Sequence, residues 1–315
     1  MNKRAIIIDC DPGHDDAIAL LLAFASEQLN VLGVTVTGGN QTLKKTLQNT
    51  KDVLEYAGIQ TRIAAGWDTP LCRELEIAPE VHGESGLDGP KLPRSSYETD
   101  SLSATEFMRE LIMQATQKVT IVATGPLTNV AVFLQTYPEL KPSIEAISIM
   151  GGAVVGGNWT PAAEFNILVD PEAAKVVFHA GIPIIMAGLD VTNKALLYDE
   201  DTERMRSIGN KEAILVAELL DFFSKYHREL GYQGSPMHDP CAVAYLLAPE
   251  IFETKEYYVD VEVAGEFTTG ATVADIHKIT GETPNTTVLV GLNREKFVTL
   301  LCDAMQSYGD GGRNR

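Results

Sequence analysis

Short, continuously apolar runs alternate with stretches of helical periodicity along the first two-thirds of the chain. Residues 4–9 (RAIIID), 31–39 (VLGVTVTGG), 62–66 (RIAAG), 118–125 (KVTIVATG), 144–152 (IEAISIMGG) and 182–192 (IPIIMAGLDVT) are short and apolar, most of them rich in β-branched residues. Their length and composition predict strands. Helix-compatible sequence lies between them, at 15–26, 40–58, 104–117, 126–138 and 170–181. The strand runs are apolar throughout rather than alternating, as expected where both faces of a sheet are covered. Strand then helix, repeated about six times, predicts an α/β fold with a mostly parallel central sheet and helices on both faces. Further on, residues 211–231 predict a long amphipathic helix, 239–249 a shorter one, and 294–309 a final helix. Small additional strands near the C-terminus, at 257–265, 268–276 and 286–292, read as antiparallel, and the tail DGGRNR as a frayed end. No change of composition marks a boundary, so residues 1–315 are expected to form one domain.

Composition narrows the class. The 315 residues are 45% hydrophobic and 22% charged, ordinary for a globular protein, with a formal net charge of −18. So acidic a surface repels phosphate backbones and anionic lipid, which argues against nucleic acid and membranes as partners. Cys10, Cys72, Cys241 and Cys302 are scattered without a CxxC, so neither zinc nor a disulfide framework is implied. The N-terminal apolar run is cut by Asp9 and is too short for a signal-peptide core, and no stretch approaches a membrane span, so a cytoplasmic location is expected.

The candidate chemistry sits where strands end. In open parallel sheets, ligands bind beyond the carboxyl ends of the strands. The first strand is followed by four aspartates within eight positions: Asp9, Asp11, Asp15 and Asp16. The others lead to Gly38, Gly39 and Asn40, to Thr124 and Asn129, and to Gly151 and Gly152 before Asn158, Glu164 and Asn166. None of these ends carries a lysine or arginine. Clustered carboxylates without a basic partner stay ionised only with a cation. Oxygen-only donors favour calcium or magnesium over zinc, and an irregular donor mixture suits calcium somewhat better. Capping of the helix that starts near residue 15 accounts for one aspartate, not four. His238 and Asp239 open a later helix, where an ordinary cap competes with a ligand role. Phosphate readings fail: there is no GxxxxGK[ST], and no GxGxxG follows the first strand. Asp9-Cys10-Asp11 is similar to the DxD of haloacid-dehalogenase-like phosphatases, but Gly13 stands where their threonine would.

DCDPGHDDAIAL resembles the DxDPGxDDAxA motif of the inosine–uridine-preferring nucleoside hydrolases. GGN at 38–40, HGESGLDG at 82–89, ATGPLTN at 123–129, MGG at 150–152, NWTPAAEFNILVDPEAA at 158–174 and HDP at 238–240 match in order. Histidines at His82 and His238 resemble the bacterial pyrimidine-preferring members. The resemblance implies a nucleoside hydrolase fold of Rossmann-like type, calcium, a homotetramer and a place in nucleoside salvage. It implies that Asp11, Asp16, Asp239 and the Thr124 carbonyl bind the ion. Asp15 would be the general base toward water, with Asp9 supporting the site from behind. Asp16, Asn40, Asn158, Glu164, Asn166 and Asp239 would hold the ribose hydroxyls. His82, His238 and Tyr226 would lie near the nucleobase, with His238 a candidate proton donor and Phe165 a candidate wall of the sugar pocket. His14 falls at a variable motif position and receives no role.

Each of these softer residues has a plainer reading. His82 could be an exposed loop histidine rather than part of a lid, Tyr226 a core aromatic at helical spacing, and Phe165 a loop anchor. The expected activity is hydrolysis of uridine and cytidine. Purine or modified nucleosides on the same scaffold, and a ribose-binding protein without catalysis, are the alternatives. Asp15 separates the last of these, since a sugar-binding cage does not need that carboxylate.

Overall fold

An eight-stranded sheet carries the fold in the computed structural model, which describes residues 3–309. Its strands are β1 (Arg4–Cys10), β2 (Leu29–Val36), β3 (Ile63–Ala65), β4 (Val119–Ala123), β5 (Ile144–Met150), β6 (Ile184–Ala187), β7 (Phe252–Tyr257) and β8 (Thr286–Leu292). Across the sheet the order is β3-β2-β1-β4-β5-β6-β8-β7. Every pairing is parallel except that of β7 with β8. The order reverses between β1 and β4, which pair Asp9 with Ala123, and this switch point is where such sheets open a crevice.

The continuously apolar strands are buried on both sides, as their sequence demands. Ile6, Ile8 and Cys10 face one hydrophobic cluster and Ala5 and Ile7 the other. Helix α1 (His14–Ala25) lies in the first cluster and is buried almost along its whole length. The helices Lys211–Glu229, Asp239–Leu247 and Arg294–Gly309 share that cluster; Ala104–Gln114, Thr128–Thr136 and Pro171–Phe178 cover the opposite face. No helix among the described residues is long and apolar enough to cross a membrane.

The C-terminal strands differ from expectation. Residues 286–292 join the main sheet parallel to β6 instead of forming a separate antiparallel element. Their antiparallel partner is β7, FETKEY, whose four central polar residues hide it from a search for apolar runs. It is an edge strand, with four of its six residues exposed, so charge is tolerated and discourages edge-to-edge pairing. Only Val259–Val261 and Thr272–Ala274 form the small antiparallel ribbon foreseen. The tail 310–315, read as frayed, lies outside the described residues.

Candidate active site

The acidic motif turns sharply from β1 into α1. Gly13 occupies the N-cap, and its N–H donates to Asp16 Oδ2 at 3.0 Å, closing the first turn of the helix. Asp16 therefore does the capping that the sequence allowed one aspartate, and it complements the positive end of the helix. It also accepts from Asn40 Nδ2 at 3.1 Å and from the Thr124 hydroxyl at 2.7 Å. Both its oxygens are thus engaged.

Close backbone packing brings the neighbouring loops onto Asp11. The Asn40 N–H donates to Asp11 Oδ2 at 2.6 Å. A Cβ at Gly39 or at Gly125 would collide with the Asp11 carboxylate, so glycine at both positions is what lets the loops approach. Asp9 accepts from Thr35 Oγ1 at 2.6 Å and Asn129 Nδ2 at 2.8 Å. Among the described residues, Asp9 Oδ2 and Asp11 Oδ1 are buried oxygens with no hydrogen-bond partner.

Asp15, Asp16 and Asp239 bring carboxylate oxygens within 4.8 Å of one another, a group able to hold a metal ion. Among the described residues, no lysine or arginine lines the cavity above them. Burial pushes the Asp15 carboxyl up to about 7, with the Asp16 charge adding to it. Burial, then the charges of Asp15 and Asp16, lift Asp239 well above the carboxylate range, and burial and Asp16 do the same to Asp11. Packed anions that resist ionisation, with an unpartnered oxygen on Asp11, fit a missing positive charge. The donors are all oxygen, as a hard divalent cation requires.

The remaining polar residues are clamped by backbone groups. Glu164 accepts from the N–H groups of Gly152, Asn166 and Ile167 at 3.0–3.2 Å, and burial lifts it to about 7. Asn166 Nδ2 donates to the Thr124 carbonyl at 2.7 Å and the Met150 carbonyl at 3.2 Å. Asn158 Oδ1 accepts from the Phe165 N–H at 3.0 Å.

One cavity is lined by Asp15, Asn40, His82, Thr124, Asn158, Glu164, Phe165, Asn166, Tyr226, His238 and Asp239. Asp11 and Asp16, expected to bind the ion, and Asp9, expected to support the site from behind, are not among its lining residues. His82 is buried at the end of a short helix, Pro79–His82, not exposed in a loop. His238 does not cap its helix with its side chain; its Nδ1 lies 2.8 Å from Thr192 Oγ1. Burial, helped by His227, pushes His238 down to about 3. Its imidazole is therefore neutral near pH 7, and any proton it gives comes from a neutral ring N–H.

Sequence reading missed Phe223, His227 and Leu230, which line the cavity beside Tyr226. Their spacing, 223-226-227-230, is one face of a helix, so the single aromatic picked from this segment could have been extended to four positions. Trp159 and Tyr232 also line the cavity. Trp159 meets Phe165 edge-on at 4.8 Å, and its Nε1 donates to Glu76 at 2.7 Å. Glu76 and Trp159 thus join the segments that follow β3 and β5 beside the cavity.

The family model described as inosine-uridine preferring nucleoside hydrolase matches residues 6–299. A pyrimidine-specific ribonucleoside hydrolase RihA of Salmonella typhimurium is 55% identical over 306 residues, 96% of this chain and 98% of that protein. One of the same name from Escherichia coli O139:H28 is 53% identical over the same shares. The solved structure of a purine-preferring ribonucleoside hydrolase from Gardnerella vaginalis superposes with a TM-score of 0.91 at 29% identity, covering 97% of this chain and 99% of that one.

Proposed function

Because this chain belongs to the inosine-uridine preferring nucleoside hydrolase family, we propose that it hydrolyses the N-glycosidic bond of pyrimidine ribonucleosides, releasing ribose and the free base. Uridine and cytidine are the substrates we assign. The observation that carries this reading is the pairing, in one cavity, of a carboxylate cluster without basic partners and a wall of histidines and aromatics. The names of relatives at 53–55% identity support the pyrimidine preference.

The side chains of Asp11, Asp16 and Asp239 and the carbonyl of Thr124 would hold a calcium ion. Such an ion, when bound, acidifies water and anchors sugar hydroxyls. Asp15 lines the cavity beside this group and takes the proton of the attacking water. Asn40, Asn158, Glu164 and Asn166 receive the ribose, and their anchoring to backbone groups fixes their free atoms before substrate arrives. These oxygens face the sugar as positive charge grows at its anomeric carbon, and stabilise it. Direct attack by water predicts inversion at that carbon. His238 and Tyr226 lie toward the base, where a neutral ring N–H of His238 can meet the leaving nitrogen heterocycle.

The test is ribose release from uridine, cytidine, inosine and adenosine. Release from the first two in clear preference supports the reading. Release from the purines alone would keep the sugar chemistry and overturn the base assignment.

A further inference from the structure

His14 occupies the variable position of the acidic motif, yet it is fully buried. Its ring stacks on Phe222 at 5.0 Å between centroids and 2° between planes, and also on His82 and Phe223. Its Nε2 lies 2.7 Å from the Asp88 carbonyl oxygen and its Nδ1 lies 3.1 Å from His82 Nδ1. The Asp88 N–H in turn donates to the His82 carbonyl at 3.2 Å. His14 therefore ties the acidic motif to the loop that carries His82.

These contacts constrain the protons. A carbonyl oxygen only accepts, so His14 Nε2 carries a hydrogen. The two Nδ1 atoms share one proton between them. If His14 is neutral, its Nδ1 is the acceptor and the proton belongs to His82 Nδ1. His82 Nε2 is then an acceptor, and it has no hydrogen-bond partner among the described residues. The His14 backbone N–H lies 3.3 Å from His82 Nδ1 and favours the opposite arrangement. Keeping that contact sets the two Nδ1 lone pairs against each other at 3.1 Å, or else a lone pair of His14 against the Asp88 carbonyl, or a cationic imidazole among aromatic rings. Forgoing the longest of the three contacts is the smaller sacrifice. The His82 ring has little freedom to turn: a Cβ on Gly13 would stand 2.5 Å from both its Cε1 and its Nδ1.

We propose that His14 is a positioning residue for base recognition: it holds His82 as the Nδ1-protonated tautomer, with Nε2 presented to the cavity as an acceptor for an N–H of the nucleobase. The inference rests on the pyrimidine ribonucleoside reading above. Uracil offers its N3–H and cytosine its amino N–H. A base whose corresponding edge carries no N–H loses the contact.

Two readouts test it in the full-length, calcium-loaded protein. The first is the nitrogen-15 spectrum of histidine-labelled wild type, with the His82 signal assigned by its loss in His82→Asn. A protonated Nδ1 and bare Nε2 are expected; a proton on Nε2 would overturn the proposal. The second is the ratio of kcat/KM for uridine over 3-methyluridine in wild type, His14→Leu and His14→Asn. Leucine matches asparagine in shape but cannot accept a hydrogen bond. The ratio should fall about tenfold in His14→Leu, mainly through KM for uridine, and recover in His14→Asn. An unchanged ratio in a folded His14→Leu, or equal loss in both variants, contradicts it. If wild type releases no ribose from uridine, the pyrimidine reading fails, and the tautomer alone then decides the role of His14.

Discussion

The floor and the wall of the cavity are built on different principles. The floor is made at strand ends, from Asp11, Asp15, Thr124 and their neighbours, and is held by backbone groups at fixed register. The wall comes from one face of the helix Lys211–Glu229, from His82 and from His238, and is held by ring-to-ring contacts and, at His238, by the Thr192 hydroxyl. A strand end tolerates little displacement, because a shift breaks several parallel hydrogen bonds at once. A helix face can exchange one aromatic for another without moving its backbone. The contrast suggests that bond cleavage belongs to the floor and choice of base to the wall.

The sharpest way to break this division is Asp15→Asn. We expect kcat to fall roughly 10³–10⁴-fold with uridine and with cytidine alike, while KM stays within a few-fold. A loss confined to one base would move Asp15 from chemistry to selection. Next comes the sugar. A 2′-deoxyuridine substrate should show kcat/KM reduced by at least about 100-fold, since a missing hydroxyl leaves buried acceptors and the cation underused. Similar rates for the two sugars would mean that the floor does not hold the diol.

On the wall, Tyr226→Phe should change KM for uridine by about tenfold at most and leave kcat nearly intact. A collapse of kcat would contradict the division from the other side. The smallest expected effect is a shift in stability. Burial raises Asp15 to about 7 and lifts Asp239 and Asp11 well above the carboxylate range. Carboxyls raised above their unfolded values favour the folded, cation-free chain at low pH, and that contribution is lost as pH rises through about 7. A cation must displace those protons, so its binding tightens over the same range. The rise in Tm on adding calcium should therefore be larger at pH 8 than at pH 5.5, by a few degrees. Comparing with and without calcium at each pH cancels the opposite trend of the buried histidines. A rise independent of pH would separate the ion from these carboxylates.

Legibility from sequence followed the same division. Six buried strands and the acidic floor could be read because apolar runs and crowded aspartates are local signals. The edge strand FETKEY could not, since exposure lets it carry charge. The wall was half legible: His82, Tyr226 and His238 stood out singly, but Phe223 and His227 needed the helix face to be followed around. His14 was invisible because its partners, His82 and Asp88, lie about seventy residues away, and only the folded loop brings them within hydrogen-bond reach.

The most direct test of the central claim is a calcium titration of chelator-stripped enzyme, with ribose release from uridine as the readout and magnesium as the comparison. The account predicts background activity without metal and recovery that saturates at one calcium per chain. Full activity in the stripped enzyme would show that the carboxylate floor works without a cation, and would contradict it.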